Sequence, residues 1–575
     1  MKKLINEIGD VVPQMLQGLV DGNPGLVVLA GQTVVLRADH AEVAARGEVA
    51  VVSGGGAGHE PAHGGYVGPG MLTGAVVGDV FTSPSVDAVL AAMRAVGGEA
   101  GILLVVKNYT GDRLNFGLAA EIVRAEGVPV EMVVVGDDVA LSAEGEHAGR
   151  RGIAGTVLVH KAAGAAAARG DDLAAVAEVA RSVAQGVRSM GVALGACTVP
   201  AVGRPGFELG EDEVEWGLGI HGESGVERGA LVSADEVAGR LVAAVADDLA
   251  LGDDGGGTRV AVLVNNLGTT PPSELDIVAR GALAALRHRG AEVERMWVGS
   301  FLTALDMPGC SVSVLPLDDT LLELLDAPSE TSAWPAAHRG RVSAEADREI
   351  PSDEPAGQYP ESFEPLPDGP LRRALLAACA ALRDAEPELT RMDSEVGDGD
   401  LGTGLERGAK AIEMEVDQYP ADAAGTLRAA SAAVRRAIGG TSGPLYSILL
   451  MRAAAAVEDA TTGTGATTAT TWATALRAGT DGIAEVGGAS VGDRTMLDAL
   501  VPMADALDEA LGRGEDPAAA LGAAVEAARA GVASTTDKVA KVGRSSYLGE
   551  RAKGTPDPGA QAVVVWAEAV RDSLG

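Results

Sequence analysis

Val49-Ala50-Val51-Val52-Ser53-Gly54-Gly55-Gly56-Ala57-Gly58-His59-Glu60 is an apolar, β-branched run that empties into glycines and then delivers a histidine. The first four residues predict a strand. Glycines at its end present bare backbone N–H groups to whatever approaches, which is how a small-molecule site is built. A glycine cluster after a strand is also an ordinary tight turn, so the neighbourhood has to decide between the two.

Two further segments point the same way. Ile102 to Val106 reads as a strand and runs into Lys107-Asn108-Tyr109-Thr110-Gly111-Asp112-Arg113, so a lysine and a carboxylate stand at its C-terminal end, where open α/β sheets carry their ligand crevices. Gly219-Ile220-His221-Gly222-Glu223 sets a histidine among glycines, where little shields the imidazole. Taken singly, His59 and His221 fit structural roles as well as catalytic ones, and Asp112 fits a cap for a helix beginning near Leu114.

Outward from these segments, short β-branched runs alternate with helical patterns. Val86 to Val96 predicts a helix, Val130 to Val135 a strand, Asp172 to Met190 a helix and Val260 to Val264 a strand. Asn265-Asn266-Leu267-Gly268-Thr269-Thr270 follows, then a helical pattern from Ser273. The expected first half is residues 1–330, with two α/β lobes and a break near 190–200. Pro, Ser, Glu and Asp dominate residues 331–368, which read as a linker.

From residue 369 to 575 helical periodicity takes over, with helices expected at 371–385, 402–416, 422–438, 443–459, 467–484, 493–512, 516–532 and 560–573. Eight helices with short connections make an all-α barrel or bundle. The connection between the first two carries Asp393, Asp398 and Asp400, interleaved with Gly397 and Gly399. Acidic loops are commonly solvated surface, but a tight turn would crowd these three carboxylates unless a cation neutralised them. Hard oxygen ligands at this density suit Mg²⁺, which leaves coordination positions for phosphate; the spacing does not fit an EF-hand loop. Gly439-Gly440-Thr441-Ser442-Gly443 opens a helix, a place where phosphate binds free N–H groups. Plain N-capping accounts for Thr441 and Ser442 equally well.

Composition limits the alternatives. A chain of 575 residues is too long for one core. Its formal net charge of −36 disfavours nucleic acid and anionic membrane partners. The N-terminal residues lack a signal peptide's apolar core and no run of apolar residues is long enough to span a bilayer, so a cytoplasmic location is expected. Cys197, Cys310 and Cys379 are widely spaced and read as buried free thiols.

Ser53 to Pro61, Phe81-Thr82-Ser83-Pro84-Ser85, Lys107 to Phe116, His221-Gly222-Glu223, the three aspartates, Gly543 to Arg551 and Asp557-Pro558-Gly559 occur together and in this order. In that combination the chain resembles the single-chain, ATP-dependent dihydroxyacetone kinase family over nearly its whole length. The resemblance implies a short ketose held as a covalent hemiaminal on His221, with Gly56, Ala57, Gly58, His59 and Lys107 contacting the sugar and Asp112 taking the proton of the hydroxyl to be phosphorylated. It assigns two Mg²⁺ ions to Asp393, Asp398 and Asp400, and an ATP pocket to Leu401, Gly402, Thr403, Gly404, Thr441, Ser442, Arg494, Thr495, Asp557, Pro558 and Gly559. With no Walker lysine in the chain, the metals would supply most of the positive charge. A homodimer with an active site shared between subunits is also implied. Two positions depart from the family pattern. Leu401 stands where histidine or cysteine is common, and Ala57 where serine is. Dihydroxyacetone and erythrulose compete as substrates, and an FAD-cleaving lyase forming cyclic FMN and a non-catalytic sugar sensor are the readings from other classes.

Overall fold

The computed structural model describes residues 2–141, 149–252, 257–335, 342, 364–462, 467–542 and 544–575. The chain forms two units, Met1–Glu349 and Ile350–Gly575. Among the described residues no helix is long and apolar enough to cross a membrane.

The first unit holds two six-stranded sheets. One comprises β1 (Leu26–Val28), β2 (Val34–Arg37), β3 (Ala50–Ala57), β4 (Gly74–Val80), β5 (Ile102–Lys107) and β6 (Val130–Val135), in the order β1-β2-β4-β3-β5-β6. Its β4-β3-β5-β6 part is parallel. The other comprises β7 (Arg188–Ala193), β8 (Glu213–Trp216), β9 (Glu227–Ala230), β10 (Arg259–Asn266), β11 (Glu292–Gly299) and β12 (Gly309–Pro316), in the order β11-β10-β12-β7-β8-β9. Of its pairings only β10 with β11 is parallel.

Strand periodicity dictates the layers. Val52, Leu104 and Val106 face helices Val86–Val96 and Thr110–Ala125. Their neighbours Val51, Leu103 and Val105 point the other way, into a core that also holds helices Thr156–Arg169 and Leu173–Gly186 and, from the second sheet, Ala261 and Leu263. Val260, Val262 and Val264 face outward from there, against helices Ala234–Asp248 and Pro272–His288. Both sheets therefore share one continuous core.

Three local readings are corrected. The glycines are not a loop after β3. They are part of the strand, with Gly54, Gly55 and Gly56 paired to Val76, Val77 and Gly78 of β4, because a central strand has a ladder to complete. The helix expected to Met190 stops at Gly186, and Arg188 to Ala193 is strand β7, paired with β12. The change of sheet thus falls just ahead of the expected break, which lies within β7 and beyond. Finally, the expected linker starts too early: Trp334 is buried, with its ring 5.0 Å from that of Trp297, and Glu330 N donates to Pro69 O. One tryptophan buries enough apolar area to hold a polar segment down. At the far end, Leu366 N donates to Tyr419 O. Residues 343–363 lie outside the described residues.

The second unit is helical. Its described residues hold nine α-helices rather than eight: Pro370–Asp384, Glu386–Val396, Leu401–Glu415, Ala423–Ala437, Ser442–Thr461, Ala469–Gly487, Leu497–Gly512, Pro517–Thr535 and Pro558–Leu574. The additional one, Glu386–Val396, is short and polar, with only Leu389, Met392, Asp393 and Val396 buried, so its apolar stripe is too thin to register as a helix period.

Candidate active site

At the C-terminal ends of β3, β4 and β5 three segments converge. Glycine makes the approach possible: a Cβ at Gly56 would lie 2.6 Å from Thr82 N, and one at Gly55, where φ is +157°, would lie 2.3 Å from Lys107 Nζ. Lys107 ends β5, fully buried, and its Nζ stands 3.7 Å from Asp112 Oδ2 and 3.4 Å from Gly54 O. Asp112 lies in the first turn of helix Thr110–Ala125, but its carboxylate accepts the Ser83 hydroxyl and faces Lys107. It does not cap the helix, whose N-cap residue is Tyr109. Burial lowers the Lys107 pKa while Asp112 opposes the shift.

The second sheet supplies the other wall. Asn265, near the end of β10, accepts Phe301 N and Leu302 N on its side-chain oxygen and so shapes the loop between β11 and β12. That loop grips the first sheet: Leu305 N donates to Gly58 O, and His59 Nδ1 lies 2.8 Å from Thr303 O. A carbonyl oxygen only accepts, so His59 carries its proton on Nδ1. Its Nε2 is then a buried acceptor with no partner among the described residues. Burial, with His221 and Lys107 nearby, holds His59 neutral well below its ordinary pKa.

His221 is half-buried rather than open as its glycine neighbours suggest. Its ring is enclosed by Tyr109, His59 and Phe81, with centroids at 4.5, 5.0 and 5.4 Å. Phe81 reaches this position with φ +60°, a conformation uncommon outside glycine. Burial first, then Lys107 and Arg151, push the His221 pKa down to about 3. Its imidazole is therefore neutral at physiological pH, with a lone pair available. His59, Gly56, Lys107, Asp112 and His221 thus belong to one cluster. Ala57 instead buries its methyl in the hydrophobic core, and Gly58 is a turn residue at φ +96° whose N–H donates to Glu60.

Behind Lys107 lies a chain of groups that sequence reading missed. Its Nζ is 3.0 Å from His63 Nε2, and His63 Nδ1 is 2.9 Å from His160 Nε2. All three side chains are buried. Burial and the Lys107 charge lower both histidines, His160 to about 3. No local pattern announces His160, which lies on an alanine-rich helix.

In the helical unit, Asp393, Asp398 and Asp400 each offer a carboxylate oxygen, the three lying within 4.8 Å of one another. Asp393 belongs to the last turn of Glu386–Val396 and is buried, whereas Asp398 and Asp400 are exposed on the turn that follows. Gly399, at φ +78°, makes that turn possible. Leu401 N donates to Asp393 Oδ2, so the backbone at this position already serves the carboxylate whatever the side chain. The aspartates border a cavity also lined by Leu401, Thr441, Ser442, Arg494, Thr495, Asp557, Pro558 and Gly559. Thr441 occupies the N-cap position of Ser442–Thr461 but makes no side-chain capping bond. Gly402, Thr403 and Gly404 do not line the cavity. A Cβ at Gly402 would meet Thr390 Oγ1 at 2.3 Å, Gly404 faces Ile438, and Thr403 is exposed. Arg494 is buried at φ +64°; its Nη2 donates to Ala552 O and Thr555 O, while Nε and Nη1 find no acceptor among the described residues. Burial raises the Asp557 pKa to about 6.

Comparison with known proteins decides what this pair of sites belongs to. A Dak1 domain model matches residues 17–333 and a DAK2 domain model residues 395–572. The chain is 45% identical to a putative 3,4-dihydroxy-2-butanone kinase of Solanum lycopersicum, over 99% of this chain and 97% of that protein. It is 41% identical to the triokinase/FMN cyclase of Homo sapiens, over 100% and 99%. The crystal structure of the dihydroxyacetone kinase from C. freundii in complex with AMP-PNP and Mg²⁺ matches with a TM-score of 0.60 at 36% identity, covering 100% of this chain and 99% of that one. The chain belongs to the dihydroxyacetone kinase family.

It is an ATP-dependent kinase, and its cofactor is Mg²⁺. The residues present fit that metal: three carboxylates, one buried and two exposed, converge at the edge of a cavity with hydroxyl and arginine side chains. As an ATP-dependent kinase it is not the non-catalytic sugar sensor.

Proposed function

We propose that this kinase transfers the γ-phosphoryl group of ATP to a terminal hydroxyl of a short ketose, dihydroxyacetone foremost, held as a hemiaminal on His221. The neutral, ring-enclosed imidazole of His221 carries this reading. A ring nitrogen bonds to the ketone carbon, the carbonyl π bond breaks, its oxygen takes a proton, and the imidazole gives up its own N–H proton. Nothing is lost from the pair, and the ring leaves neutral as it began. A covalent tether replaces orientation by weak contacts and turns away polyols, which have no carbonyl.

His59 Nε2, a buried acceptor beside His221 with no partner among the described residues, receives a substrate hydroxyl. Lys107 donates to a substrate oxygen, and Asp112 takes the proton of the hydroxyl being phosphorylated. Asp393, Asp398 and Asp400 hold Mg²⁺, which when bound neutralises charge on the phosphates. Thr441, Ser442, Arg494, Thr495 and the Asp557-Pro558-Gly559 turn hold ATP, with Leu401 as an apolar wall. A homodimer with its active site shared between subunits completes the proposal. Mixing a His221→Ala subunit with an Asp400→Asn subunit would then restore activity that neither has alone.

The test is an ATP-coupled assay with dihydroxyacetone, erythrulose and glycerol. We expect both ketoses to be phosphorylated, glycerol not, and the His221→Ala variant to lose roughly a thousandfold or more in kcat/KM, the scale of a lost covalent anchor. Undiminished ketose phosphorylation by that variant would overturn the covalent reading. The larger kcat/KM of the two ketoses names the substrate.

A further inference from the structure

His221 sits on a stretch between β8 and β9 with no ladder of its own to hold it. Its backbone N–H donates instead to Glu223 Oε2 at 2.8 Å, two residues on in the chain. The same carboxylate lies 3.5 Å, through Oε1, from Nη1 of Arg151. Arg151 is itself fixed: its Nε donates to Asp138 Oδ2 at 2.7 Å and its Nη2 to Gly217 O at 2.7 Å. The carboxylate of Asp138 is fully buried and also accepts Ala140 N. Next to it, Asp137 accepts Ile153 N and Gly155 N and ties the Arg151 strand of chain to β7 through Ser189.

Two features show that the stretch is shaped around the Glu223 carboxylate. A Cβ at Gly219 would fall 1.6 Å from Glu223 Oε1, so only glycine leaves it room. Gly222 takes φ +76°, which turns the chain back so that residue 223 can reach the N–H of residue 221.

We propose that Glu223 is a positioning residue for the nucleophile: its carboxylate, anchored by Arg151 to the buried Asp138, holds the backbone of His221 so that the imidazole meets the substrate carbonyl. The proposal rests on the hemiaminal reading above. Glu223 touches no reacting atom. Its contribution is to remove the freedom of a loop that would otherwise carry the imidazole in many orientations, and freedom lost before substrate arrives is not lost again on binding.

The experiment compares full-length wild type, Glu223→Ala and Glu223→Gln. The adduct is read with [2-¹³C]dihydroxyacetone by NMR, where the ketone carbon becomes tetrahedral, alongside steady-state kinetics and thermal melting. Glu223 is partly exposed, so both variants are expected to melt with the wild type. Glu223→Ala is expected to lower adduct occupancy and kcat/KM by roughly 10- to 100-fold, the range for a charge-assisted hydrogen bond. Glu223→Gln, whose amide oxygen still accepts the His221 N–H, is expected to recover most of that loss. A merely structural role would move the melting temperature and would not separate the two variants. Wild-type adduct and turnover in Glu223→Ala, or a Glu223→Gln no better than alanine, would overturn the proposal. Should the wild type itself show no adduct, the hemiaminal reading fails, and the alanine-to-glutamine difference in kcat/KM still decides the role of Glu223.

Discussion

The two sites of this kinase handle charge in opposite ways. In the α/β unit the reactive groups are withdrawn from water and answered by one another: Lys107 by Asp112 and His63, His59 by Thr303, His221 by a ring cage. In the helical unit two of three aspartates stand exposed at the edge of a cavity. Burial in the first case sets protonation states, leaving imidazoles neutral and able to accept or attack. Exposure in the second leaves carboxylate oxygens within reach of a hydrated cation and its nucleotide. Under the proposal above, the nucleophile has an enclosed, fixed setting, whereas the metal that accompanies ATP has an open one.

The contrast can be broken most strongly at Asp112. Asp112→Asn is expected to lower kcat by roughly 10² to 10⁴, the range for a positioned base, with little change in Mg²⁺ dependence. Steady-state kinetics over a Mg²⁺ series checks it; an unchanged kcat would remove Asp112 from proton transfer. On the other side, Asp398→Asn combined with Asp400→Asn should raise the Mg²⁺ concentration for half-maximal activity by roughly tenfold or more, since Mg²⁺ relies on carboxylate oxygens. Adduct formation with labelled dihydroxyacetone should be untouched, and its loss would mean that the two sites do not act separately.

Burial of neutral histidines also makes a pH prediction. His160 has its pKa lowered to about 3 in the folded chain, below the ordinary value of 6.5. A lowered pKa means that the unfolded chain binds a proton the folded one refuses, so the contribution is complete above pH 6.5 and is lost as pH falls toward 3. Urea unfolding of the α/β unit between pH 6.5 and 4.5 should therefore lose less stability in His160→Gln than in the wild type, by about 1.4 kcal/mol per pH unit. Parallel slopes would show that His160 is not neutral in the folded state. The smallest effects separate cavity residues from packing residues. Thr441→Ala is expected to raise the KM for ATP several-fold, on the order of one lost hydrogen bond, and Thr403→Ala to leave it within about twofold.

Much of the α/β site could be read from local pattern because strand ends and glycine runs are local events. Ser53 to Glu60, Lys107 to Arg113 and Gly219 to Glu223 mark a place for ligand chemistry when read together, though each alone also fits a structural role. What escaped was long-range. His160 meets His63 across 97 positions and Thr303 meets His59 across 244, and neither partner stands out in its own neighbourhood. In the helical unit the aspartate spacing was legible. The helix that carries Asp393 was not, because four buried residues make too faint a stripe. The resemblance placed Gly402 and Gly404 in the ATP pocket, yet they face Thr390 and Ile438, which only the packing of neighbouring helices decides.

The chain's own order of residues determined that one strand would run into glycines ahead of His59, that another would end at Lys107 shortly before Asp112, and that three aspartates would fall within eight residues, since bond geometry and residue type act over a few positions. Tertiary structure alone decided that His221 is neutral, that Lys107 is buried against His63 with His160 behind it, and that Trp334 packs onto the first unit. Desolvation and charge add up over neighbours that the chain brings from far away, and no short window contains that sum.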